Sequence, residues 1–149
     1  MGLNLQLLLK DKASVALDTA PFIYLIEENP TYIQFVEPIF LGISRGAIQA
    51  CTSTITLIEV LTKPLEENNT ELIRKYSEII SDSANLFLSD VDREIAVESA
   101  RLRATYSLRT PDAIQLATGI VNGADLFITN DRGFKKVQDI EILILDDLI

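Results

Sequence analysis

Histidine is absent from the 149-residue chain, and cysteine occurs once, as Cys51. The first absence removes Ser-His triads, imidazole acid/base catalysis and most zinc sites. The second leaves no disulfide pairing within the chain, and Cys51, set in the apolar run AIQACT, reads as a small buried hydrophobe rather than a nucleophile. Positive charge is also scarce, with 13 Lys and Arg against 22 Asp and Glu and a net charge of −9. At a pI near 4.4, bulk electrostatics cannot grip a nucleic acid, because such binding depends on cations that neutralise phosphates. No apolar run reaches the ~18 residues of a membrane span, and the N-terminus lacks a signal-peptide pattern. A soluble cytoplasmic protein is therefore expected, with any chemistry run on carboxylates, hydroxyls or a bound ion.

What the chain does have is apolar residues (48%) and a regular order of elements. This length and apolar content predict one compact domain over 1–149, in which residues 1–12 (MGLNLQLLLKDK) form an extension of unclear role. Strands are predicted at Ser14–Leu17, Ala47–Thr52, the ANLFL run, Asp125–Thr129 and Glu141–Leu145. Helices are predicted between them. APFIYLIE stops before Pro30; the segment from Thr31 to Ser44 is kinked or broken at Pro38; Ser53 or Thr54 caps ITLIEVLTK, which ends at Pro64. The stretch from Asn68 to Ile80 is amphipathic, a capping box at Ser89 to Asp92 opens EIAVESARLRATYSL, and Thr110 with Pro111 starts a helix closed by Asn122-Gly123. Alternating strands and helices predict an α/β fold with a parallel sheet covered on both faces, whose ligands sit at the carboxyl ends of the strands.

Four acids occupy the places where this pattern puts chemistry. Asp18 ends the first strand, Glu59 lies in the helix after the second, Asp112 opens a later helix, and Asp131 follows DLFIT. Taken singly, Asp18 and Asp131 suit turns and Asp112 suits a helix start facing the positive end of the dipole. Glu59 is harder to explain in that way, since TLIEVL surrounds it with apolar neighbours. Gathered at one sheet edge, two such carboxylates ~6 Å apart repel by roughly 3 kcal/mol at an effective dielectric of ~20. The group must then share protons, pair with Lys or Arg, or bind a cation. Hard oxygen ligands without His or Cys suit Mg2+ or Mn2+, which would also recruit a polyanion to an acidic chain and activate water for phosphodiester hydrolysis. Thr19, Thr129 and Asn130 flank the proposed site and could orient water or ligands, while Arg109 and Arg132 could steer phosphate or pair with an acid.

The segments VALDTAPFIYLIE, TSTITLIEVL, RLRATYSLRTPDAIQLATGI and ADLFITNDRGFKKV together resemble the PIN domain, and especially the VapC-like toxins of prokaryotic toxin-antitoxin pairs. The resemblance implies a three-layer α/β/α fold with a mostly parallel central sheet and an Mg2+- or Mn2+-dependent ribonuclease site. Its acidic positions fall on Asp18, Glu59, Asp112 and Asp131. It also implies an RNA substrate, a homodimer and inhibition by a cognate antitoxin protein. This chain departs from the family pattern at Ala20, where an Asn is frequent, at Gly133, where many members carry a further acid, and in its leading dozen residues. A housekeeping RNA-processing nuclease and a catalytically silent interaction module are the alternatives. A phosphoacceptor receiver lacks its lysine here, a haloacid-dehalogenase-like phosphatase lacks Asp-x-Asp, and a P-loop NTPase lacks GxxxxGK[ST].

Overall fold

The computed structural model describes Leu9 and residues 14–149. Five strands, β1 (Ser14–Leu17), β2 (Gln49–Ser53), β3 (Leu86–Ser89), β4 (Leu126–Thr129) and β5 (Glu141–Ile144), alternate with helices. The helices are α1 (Thr19–Ile26), α2 (Ile33–Ser44), α3 (Ile55–Glu66), α4 (Thr70–Asp82), α5 (Arg93–Tyr106) and α6 (Thr110–Val121). Short 3-10 turns follow at Arg132–Phe134 and Leu145–Leu148. The sheet order is β3-β2-β1-β4-β5, and every pairing is parallel. The expected mostly parallel sheet is thus wholly parallel among the described residues.

Side-chain alternation along the strands sorts the protein into layers. Val15, Leu17, Ala50, Leu126 and Ile128 point to one face, where they pack with Phe22 of α1, Val36, Ile39 and Ile43 of α2, Val60 of α3 and Tyr76 and Ile80 of α4. Ala16, Cys51 and Phe127 point to the other, against Ile95 and Leu102 of α5 and Ala113, Leu116 and Ala117 of α6. Burial on both faces explains why the central strands read as near-continuous apolar runs. Burial also pushes the Cys51 thiol up to about 11, so it stays neutral, as its sequence context implies. On the second face α6 lies so close to β1 that a β-carbon on Gly119 would fall 2.7 Å from that of Ala16.

The chain departs from the sequence expectations at several boundaries. Pro38 does not break α2: it and Gln34, whose carbonyl loses its helical donor, both lie on the exposed side, where water can serve that carbonyl. Pro64 does not end α3, which continues to Glu66, because the ring joins Thr56 and Val60 on the buried stripe. Ser89 belongs to β3, and Asp92 alone caps α5 by accepting from Ile95 N–H at 2.9 Å. Thr110 is the first helical residue of α6, and Arg109 occupies the cap position. Gly123 does close α6 with a φ of +75°, a left-handed value that glycine adopts without strain. The leading segment 1–12 lies outside the described residues except for Leu9, which packs on the first core. No helix among the described residues is long and apolar enough to cross a membrane.

Sheet order determines where a ligand can go. From β1 the chain proceeds through β2 to β3 on one side and later returns through β4 to β5 on the other, so β1 and β4 border the point where strand order reverses. In open parallel sheets, the crevice for ligands forms outside the carboxyl ends of the strands at that point.

Candidate active site at the carboxyl edge of the sheet

Asp18 occupies this crevice. Its backbone N–H donates to Ile128 O at 2.9 Å, which carries the β1–β4 ladder one residue beyond β1. Its side chain caps α1, with Oδ1 accepting from Thr19 N–H at 2.8 Å and Oδ2 from the Thr129 hydroxyl at 2.7 Å. Burial nevertheless raises the carboxyl from 3.8 to about 6, outweighing those two hydrogen bonds, and the negative charges of Glu59 and Asp112 add to the rise. An acid that is ionised at neutral pH only at a cost is one that a cation would relieve.

Glu59 reaches the same place from α3. The Thr19 hydroxyl donates to its Oε1 at 2.7 Å, and the Gln115 amide approaches the same oxygen at 3.5 Å. Asp112 sits in the first turn of α6 and forms a two-pronged pair with Arg109, Nε to Oδ2 at 3.0 Å and Nη2 to Oδ1 at 3.4 Å. Contact with Asp112 raises the Arg109 guanidinium above its usual range, and Asp131 and Glu59 contribute through space. Asp112, unlike Asp18 and Asp131, does not follow a strand. It reaches the edge because α5 ends at Ser107 in a left-handed turn (φ +57°), and only residues 107–109 separate it from α6.

Asp131 lies just past β4. Its backbone N–H donates to Thr129 Oγ1 at 3.1 Å, so one hydroxyl joins the first and fourth acids. Its Oδ1 accepts from Gly133 N–H at 2.8 Å and caps the Arg132–Phe134 turn. A β-carbon on Gly133 would come within 3.0 Å of that oxygen. The absence of a side chain at 133 thereby lets the backbone amide take hold of Asp131.

The flanking candidates divide. Thr19, Thr129 and Arg109 touch the acids directly. Asn130 instead donates to the Tyr24 hydroxyl at 3.0 Å and accepts from Asp146 N–H at 2.8 Å, which turns it toward the C-terminal turn. Arg132 pairs with Asp147 at 3.0 Å, as Lys135 does at 3.5 Å. Sequence reasoning missed Gln115, whose only signal is an isolated amide in the apolar face of α6, three residues after Asp112.

As the side chains stand, no three Asp, Glu or Cys among the described residues are gathered closely enough to hold a metal ion. Glu59 is turned to Thr19, Asp112 to Arg109 and Asp131 to the Gly133 amide. The donors are nonetheless all carboxylate and hydroxyl oxygens, the set a hard divalent cation takes, and among the described residues no Lys or Arg pairs with the partly buried Asp18. The residues thus fit such an ion in kind.

A sequence profile described as PIN domain matches residues 15–140. Similar solved structures include VapBC2 from Rickettsia felis bound to a promoter DNA fragment, with a TM-score of 0.71, 16% identity, and 88% of this chain and 98% of that one covered. They also include a toxin-antitoxin complex from Klebsiella pneumoniae, with a TM-score of 0.67, 23% identity and 88% and 97% covered. DNA-bound VapBC from Salmonella typhimurium gives a TM-score of 0.67, 23% identity and 89% and 98% covered. At such identities the likeness is one of fold. No curated protein sequence matches.

Proposed function

Because the chain belongs to the PIN domain family, a family of nucleases, we propose that it is an Mg2+- or Mn2+-dependent endoribonuclease built as a single domain over residues 1–149. Asp18, Glu59, Asp112 and Asp131 would hold the metal. When bound, the ion would neutralise the acid cluster, polarise the scissile phosphate and lower the pKa of the attacking water. The chain's own residues do the rest. Thr129 holds Asp18 and the Asp131 backbone in one register, Thr19 aims Glu59, and Arg109, paired with Asp112 at the same edge, would present its guanidinium to phosphate. One observation carries this reading: a partly buried carboxyl group at the strand-order reversal, raised to about 6 by desolvation, with Glu59 and Asp112 close enough to add to the rise. A purely structural helix cap has no need of such company.

The similar structure from Klebsiella pneumoniae is a toxin-antitoxin complex, and the toxin of such a pair is the biological role we assign. Its partners would be RNA, a cognate antitoxin protein and a second copy of the chain, in the cytoplasm. An acidic toxin leaves DNA binding to its partner, in keeping with the net charge of −9.

The test is a calorimetric Mn2+ titration of purified, metal-stripped protein, beside Asp112→Asn and followed by an RNA cleavage assay. Saturable binding that weakens in the variant, together with Mn2+-dependent cleavage that the variant lacks, is the expected result. Absence of Mn2+ binding in the folded, partner-free wild type would refute the nuclease reading in favour of an interaction module, and full activity in Asp112→Asn would refute the assignment of the acids.

A further inference from the structure

Gln115 lies on the buried side of α6 with 2% of its surface exposed. Its amide nitrogen donates to Thr56 Oγ1 at 2.9 Å and Thr19 Oγ1 at 3.2 Å, with Glu59 Oε1 at 3.5 Å. Its oxygen, Oε1, is the one buried side-chain polar atom among the described residues without a hydrogen-bond partner. Rotating the amide to exchange nitrogen and oxygen would not mend this. The Thr52 hydroxyl donates to Leu17 O at 2.9 Å, so in the 2.8 Å contact between Thr52 and Thr56 the proton comes from Thr56. The Thr19 proton is likewise committed to Glu59 at 2.7 Å. Neither threonine retains a proton for an amide oxygen, so the nitrogen must face them and Oε1 must stay unmet.

An apolar side chain of similar length would fill the same volume without burying an unpaired acceptor. The amide is therefore explained by what its N–H groups do. They close a chain of hydrogen bonds from the Leu17 carbonyl, adjacent to Asp18, through Thr52, Thr56, Gln115 and Thr19 to Glu59. Every proton in that chain is assigned, and its last links leave Glu59 Oε1 as the acceptor. Because Gln115 rides on the helix that carries Asp112, the chain also ties the third acid's helix to the first two acids.

We infer that Gln115 is a positioning residue for the metal site: through Thr19 it fixes one carboxylate oxygen of Glu59, Oε1, and so where that side chain can turn to meet an ion, at the expense of its own unmet oxygen. This rests on the nuclease reading above. Residues that orient metal ligands in this way typically change metal affinity by ~10- to 100-fold when altered.

The experiment compares wild type, Gln115→Met and Thr56→Val, all metal-stripped, by Mn2+ calorimetry, circular dichroism and steady-state cleavage of a model RNA. Gln115→Met keeps length and volume and removes the donor; Thr56→Val removes the hydroxyl that anchors it. The expected result is folded Gln115→Met with Mn2+ affinity ~10-fold weaker and kcat reduced while KM for RNA stays within about twofold, and a smaller loss of the same kind in Thr56→Val. A merely structural amide would not split kcat from KM or move the metal affinity. If wild type binds Mn2+ and the folded variants bind it equally well, the positioning role is overturned and the nuclease reading stands. If wild type itself binds none, the nuclease reading fails and this inference goes with it. Should Gln115→Met not fold, Thr56→Val decides by the same criterion.

Discussion

Replacing Asp18 with Asn should remove metal binding and yet stabilise the metal-free protein at neutral pH. The buried carboxyl has a pKa raised from 3.8 to about 6, which at ~1.4 kcal/mol per tenfold change corresponds to about 3 kcal/mol of destabilisation when it is ionised. Asn keeps the cap on α1, because its oxygen can still accept from Thr19 N–H. Its NH2 group would however face Thr129 Oγ1, which already accepts from Asp131 N–H, and the displaced hydroxyl proton costs ~1 kcal/mol. The net gain is ~2 kcal/mol, or roughly 4–8 °C in Tm for a chain of this size. The sign follows from proton binding: a folded-state pKa above the unfolded value means that the native state holds more protons between pH ~6 and ~3.8, so wild-type stability rises as pH falls through that window. The penalty is complete above pH ~6, about half as large at pH 5, and gone below ~3.8. Thermal unfolding by circular dichroism in EDTA at pH 7.5 and 5.0 measures both quantities. An Asp18→Asn protein less stable than wild type at pH 7.5, or an advantage unchanged at pH 5.0, would refute the reasoning.

Three further outcomes are expected. Saturating Mn2+ at ~100 times its Kd should stabilise the wild type by about 2.7 kcal/mol and raise Tm by roughly 5–10 °C; Glu59→Gln should lose most of that shift in the same melt. Gly119→Ala should destabilise by ~1–2 kcal/mol in urea unfolding, because the new methyl would meet the Ala16 β-carbon at 2.7 Å, a crowding cost that exceeds the gain in helix propensity. Tyr76→Phe should cost ~0.5–1.5 kcal/mol in the same assay, because the phenol of Tyr76, itself 1% exposed, loses its hydrogen bond to Glu27, whose exposed carboxylate returns to water. Unchanged stability in either variant would contradict the packing described.

Much of this protein is determined by local pattern. The central strands SVAL and LFIT are legible because a strand buried on both faces needs a continuous apolar run, and the edge strands LFLS and EILI, with Phe87 and Glu141 exposed, from short apolar runs beside polar or turn residues. The absence of histidine, the acidic balance and the recurrence of an acid after strands or early in helices are likewise properties of the chain, and they limit the chemistry to carboxylates, hydroxyls or a bound ion. Boundaries were less legible: Pro38 and Pro64 sit within helices because one lies on an exposed side and the other on a buried stripe, a distinction that spacing alone does not carry. The tertiary structure decided the partners. Strand order places β1 beside β4 and so lets Thr129 reach Asp18 across 111 residues of sequence. Helix packing brings Gln115 to Glu59, and contacts with Asp146 and Asp147 turn Asn130 and Arg132 toward the C-terminal turn. Burial then raises Asp18. Residue type and spacing limit which chemistry is available, but desolvation and hydrogen-bond geometry depend on atoms distant in the chain and arise only when the sheet has closed around them.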